Sequence, residues 1–80
     1  MKNKNTELEA LNAKRWNIIC EIDRTDAQIE VNEDTLYSLS PDEDHKRDYF
    51  RQEVSSGYAY RNQLDAERKE LTKKIKALTR

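Results

Sequence analysis

Apolar residues recur along the first half of the chain in alternate steps of three and four. The positions are Leu8, Leu11, Arg15, Ile18, Ile22, Thr25, Ile29, Asn32, Leu36 and Leu39. This is a heptad seam with polar interruptions at Arg15, Thr25 and Asn32, the pattern of a helix that packs along one stripe. A second seam runs through Phe50, Val54, Gly57, Arg61, Leu64, Arg68, Leu71, Ile75 and Leu78. Between them stands Ser38-Leu39-Ser40-Pro41-Asp42-Glu43. Ser40 reads as an N-cap, Pro41 as the first helical residue and Glu43 as the far member of a capping box. Thr6 and Glu9 repeat the capping-box spacing near the start of the chain.

The pattern therefore predicts a helix over about residues 7–38, a turn at 39–40 and a helix over about 41–79. A connection this short forces the helices antiparallel. The fold class is all-α, an antiparallel, coiled-coil-like two-helix hairpin forming a single domain over residues 1–80. Folding at Ser40 sets Ile29 near Phe50, Ile22 near Gly57 and Leu11 near Leu71. Gly57 is the weak point, because Gly inside a helix costs about 1 kcal/mol relative to Ala and Ser55 and Ser56 precede it. Two readings stand: a break near 55–57, or a continuous helix that approaches Ile22 closely at Gly57. The second keeps Phe50 and Val54 in phase with Leu64 and Leu71.

The first helix carries more apolar surface than one seam uses. Ala13, Trp16, Cys20, Ala27 and Val31 form a stripe that, at about 100° per residue, lies opposite the Leu8–Leu39 seam. One partner helix cannot cover both faces. The expectation is self-association through Trp16, Cys20, Ala27 and Val31, with hairpins pairing into a four-helix bundle or larger oligomer. The alternative is that Trp16 lies flat across its own hairpin under Lys and Arg stems.

Composition narrows the class. The chain has 80 residues, is 39% charged and 35% hydrophobic, and holds one Gly, one Pro and one Cys. A compact monomeric core would be marginal at this size. No apolar run approaches the ~18 residues that suggest a bilayer span, and no apolar stretch follows the first lysines as in a secretory signal. A lone cysteine excludes a disulfide scaffold. These features together give the expectation of a cytoplasmic protein without membrane contact.

Charge is segregated along the chain. Residues 1–20 carry a net +2, residues 21–60 a net −7 and residues 61–80 a net +4, within a total of −1. In an antiparallel hairpin the termini end is then basic and the turn end acidic. Helix dipoles account for part of this. Two functional readings remain: charge-matched assembly of hairpins, and an acidic tip of Glu33, Asp34, Asp42, Glu43 and Asp44 that meets a basic protein surface. The basic end, with Lys69, Lys73, Lys74, Lys76 and Arg80, has too few cations for strong duplex binding.

Catalytic chemistry is missing from the pattern. His45 stands alone among Asp42, Asp44 and Asp48, so no metal is expected. One glycine cannot make a phosphate loop, and no cofactor is expected. Gln63-Leu64-Asp65 resembles part of the Ser-Gln-Glu-Leu-Asp motif of the small helical-hairpin phosphatases of sporulation signalling. The motif's Ser is missing here, and no activity follows from the resemblance. The leading expectation is a non-enzymatic accessory regulator, adaptor or inhibitor of phage or mobile-element type, whose partners are itself and another protein. The alternative is an oligomeric nucleotide or nucleic-acid binder. In it Trp16, Tyr58 and Tyr60 stack on bases while Arg15 and Arg61 pair with phosphate.

Overall fold

A computed structural model describes residues 4–79; residues 1–3 and 80, including the basic Arg80, lie outside it. Two helices, α1 (Lys4–Ser38) and α2 (Asp44–Leu78), lie antiparallel against each other. The architecture is an all-α hairpin. Each helix has 35 residues, about 52 Å at ~1.5 Å per residue.

The seams do the packing. Ile18, Ile29, Leu64 and Leu71 are buried, and Leu11 and Ile22 pack on the cluster formed by Ile18, Leu64 and Leu71. Two polar seam residues, Thr25 and Asn32, are buried as well. Thr25 satisfies its hydroxyl by donating to the Glu21 carbonyl at 2.7 Å, and Asn32 Oδ1 accepts from Gln28 Nε2 at 3.3 Å. Both partners lie one turn earlier on the same helix, the local bonding that lets short polar side chains sit in a core.

Three seam arginines are accommodated differently. Arg61 bonds Asp26 across the hairpin. Arg68 bonds Asp65 one turn earlier, at 2.9 Å. Among the described residues Arg15 takes no carboxylate; its Nε donates to Thr72 Oγ1 at 3.0 Å, and that hydroxyl donates on to the Arg68 carbonyl.

The helix starts differ from the sequence expectation. Thr6 lies inside α1 rather than capping it. At the turn, Glu43 N–H donates to the Ser40 carbonyl at 3.1 Å, closing a four-residue turn over Ser40-Pro41-Asp42-Glu43. The Glu43 carboxylate accepts from Ser40 N–H at 3.2 Å, so half of the capping box forms. The first helical bond is Arg47 N–H to the Glu43 carbonyl, which makes Glu43 the N-cap and starts α2 at Asp44 instead of Pro41. The connection thus takes residues 39–43 rather than 39–40.

Helix α2 runs unbroken through Gly57. The close approach expected there exists, but its partner is Ile29: a Cβ on Gly57 would meet Ile29 Cγ1 at 2.7 Å. The hairpin is therefore slid by one heptad from the register that pairs Ile22 with Gly57 and Ile29 with Phe50. A seven-residue slide keeps the same residues on the seam, so the buried faces are unchanged.

Candidate functional site

The hairpin is thin. Its extents are 63 × 18 × 14 Å and its Cα radius of gyration is 18.1 Å, against roughly 12 Å for a compact domain of this length. Such a rod has faces but little interior, so the candidate site is a surface.

The apolar stripe of α1 lies uncovered. Trp16 is 64% exposed and Val31 57% exposed. Ala13 and Ala27 are exposed, while Cys20 is half-buried with a free thiol. Trp16 does not lie shielded across its own hairpin. Trp16 and Val31 thus stand exposed on the face of α1 opposite the seam.

The acidic residues of the tip divide into two groups. Glu33 accepts from the Tyr58 hydroxyl at 2.6 Å, and Glu43 closes the turn onto Ser40 and stands 3.7 Å from Lys46. Asp34, Asp42 and Asp44 are exposed and, among the described residues, their carboxylates take part in no hydrogen bond or ion pair. The turn also holds a cleft lined by Leu36, Tyr37, Leu39, Pro41, Arg47 and Arg51. Within the turn region, Arg47 Nε is buried without a hydrogen-bond partner. Arg47 continues the second seam, three residues before Phe50.

The five residues of the ligand-binding alternative do not meet within one chain. Tyr60 bonds Glu21 at 3.4 Å, Tyr58 bonds Glu33 and Arg61 bonds Asp26. Gly57 stands level with Ile29, which puts Trp16 and Arg15 about 20 Å along the rod from Tyr58. Burial raises the Tyr60 phenol above its ordinary value, with Glu21 adding to the effect. The hydrogen bond to Glu33 raises that of Tyr58. Both phenols thus stay protonated donors to carboxylates of α1.

At the basic end, the Arg68 bond holds the Asp65 carboxyl below the usual range, with Lys69 at 3.4 Å helping. Lys73 stands 3.4 Å from Glu70. These pairs offset part of the positive charge there. Among the described residues, no group of three or more His, Cys, Asp or Glu side chains is placed to hold a metal, and no helix is long and apolar enough to cross a membrane.

Comparison of the chain with protein-family models, with curated proteins and with solved structures finds no match.

Proposed function

We propose that this hairpin is a non-enzymatic, self-associating protein that acts by binding another protein, as a small accessory regulator, adaptor or inhibitor. The observation that carries the reading is the exposure of Trp16 and Val31 on the face of α1 opposite the seam. The occupant of that face is a second copy of this chain. Two rods, each basic at the termini and acidic at the turn, offer complementary charge to one another. The tip carboxylates Asp42 and Asp44 then remain for a partner with a basic surface.

Sedimentation equilibrium tests the first half of this reading. Self-association predicts a mass of at least two chains at micromolar concentration, and a single-chain mass sinks it. An affinity pull-down with mass spectrometry tests the second half. It should recover a protein with a basic surface whose retention falls when salt is raised.

A further inference from the structure

The stripe on α1 is close to symmetric along its length. Trp16 and Val31 stand equally far on either side of the point between Asp23 and Arg24, and so do Cys20 and Ala27. Asp23 and Arg24 are both exposed, and Arg24 pairs with Glu21 of its own helix at 3.4 Å.

We propose that two copies of the hairpin pack α1 against α1 in antiparallel orientation, about a two-fold axis at that point. Each Trp16 then covers Val31 of the other copy, and each Cys20 faces Ala27 of the other copy. The proposal rests on the self-association reading above and adds its geometry.

Two physical arguments select antiparallel over parallel. The first is size. Interaxial distance follows the side chains at the contact. A parallel pair sets Trp16 on Trp16 at one level and Ala27 on Ala27 at another, so the helices are propped apart where the small residues need closeness. The antiparallel pair sets one large residue against a medium one at both ends and small against small between them. The second is charge. Among the described residues, the net −7 of 21–60 belongs to the turn half of the rod, and the net +1 of 4–20 and +3 of 61–79 belong to the termini half. Antiparallel packing lays each acidic half beside a basic half, whereas parallel packing stacks like on like. Asp42 and Asp44 of the two copies then emerge at opposite ends of the dimer, whose hairpins are each 63 Å long. The dimer then presents two tips that face away from each other.

Cys20 is the only cysteine, which makes the geometry measurable. In the antiparallel pair the two Cys20 residues lie about 10 Å apart along the axis, beyond the ~7 Å Cα–Cα limit of a disulfide. Mild oxidation of the unmodified protein should therefore leave it without an intermolecular bridge. Ala27→Cys should oxidise to a covalent dimer, and peptide mapping should place its bridges between Cys20 and the introduced thiol. A second reporter, Ala13→Cys with Asp34→Cys in a Cys20→Ser background, should bridge position 13 to position 34. Circular dichroism checks that each variant keeps its helices. A ready Cys20–Cys20 bridge in the unmodified protein overturns the antiparallel geometry. So do bridges between like positions, or no bridge in either variant of a protein that sediments as an oligomer. A protein that sediments as one chain overturns the self-association reading itself, so the two failures are distinct.

Discussion

Gly57 of α2 sits directly on Ile29 of α1. Ile29 is 4% exposed, and a Cβ on Gly57 would stand 2.7 Å from its Cγ1 and 3.3 Å from its Cδ1. The glycine weakens its own helix, and the missing side chain lets the helices close over the isoleucine. Two opposing terms then decide the fate of Gly57→Ala. Helix propensity favours Ala by about 1 kcal/mol, while overpacking a filled site costs about 1–3 kcal/mol. The expected outcome is a net loss of about 1 kcal/mol in urea unfolding at fixed protein concentration. In an Ile29→Ala background, itself destabilised by about 2–5 kcal/mol, the obstruction is gone and Gly57→Ala should instead stabilise. Equal effects in both backgrounds would show that the two positions are not coupled.

The Asp26–Arg61 pair crosses the hairpin near its middle, with side chains 45% and 38% exposed. Solvent screening at that exposure limits its worth to about 1 kcal/mol or less. A double-mutant cycle with Asp26→Asn and Arg61→Gln should return a coupling of that size, shrinking as salt is raised. Coupling that is unchanged in molar salt would contradict this account.

The Tyr58–Glu33 bond predicts a pH dependence. The folded phenol titrates above the ordinary tyrosine value, chiefly because its hydroxyl donates to Glu33. The folded state therefore holds its proton more tightly than the unfolded chain. Its stabilising contribution is complete below about pH 10 and is lost as pH rises through the folded pKa. Tyr60 acts in the same direction. Stability of the native protein should fall on going above pH 10, and Tyr58→Phe should flatten that fall while lowering stability slightly near neutrality, where the bond to Glu33 is lost.

Trp16→Glu should dissociate the assembly and leave helix content unchanged, because Trp16 is 64% exposed and stands outside the buried cluster of Ile18, Leu64 and Leu71. An interface anchor is worth at least about 2 kcal/mol, so the dissociation constant should rise roughly 30-fold or more. Sedimentation at matched concentrations reads the change. An unaltered mass would remove Trp16 from the interface.

Joint neutralisation of Asp42 and Asp44 to Asn should weaken protein-partner retention without lowering the melting temperature by more than a few degrees. Glu33 and Glu43 are unsuitable for this test, since one accepts from Tyr58 and the other closes the turn onto Ser40. Undiminished retention of the same partner by the neutralised protein would exclude the acidic tip as its binding surface.

Much of the site is local in origin and so legible along the chain. The stripe of Trp16, Cys20, Ala27 and Val31 follows from helical periodicity alone, and its exposure follows from having only one partner helix. The occupation of Tyr58, Tyr60, Arg15 and Arg61 by groups of the other helix was not legible. Those bonds join residues 25 to 57 positions apart, and no spacing rule reaches across the turn.

The same division holds for the fold. The heptad pattern and the short connection by themselves determined two helices, the buried face of each and their antiparallel order, and left α2 either broken near 55–57 or continuous through Gly57. Only the tertiary structure decided the register, because sliding one helix by seven residues leaves the same side chains on the seam. What separates the alternatives is the fit of individual long-range pairs: Gly57 over Ile29, Arg61 with Asp26, Arg15 with Thr72 and Tyr58 with Glu33. It also decided the turn, where the Ser40 carbonyl takes the Glu43 amide and postpones α2 to Asp44. Capping residues announce that a helix begins nearby, and the competition between a turn bond and a helical bond sets where.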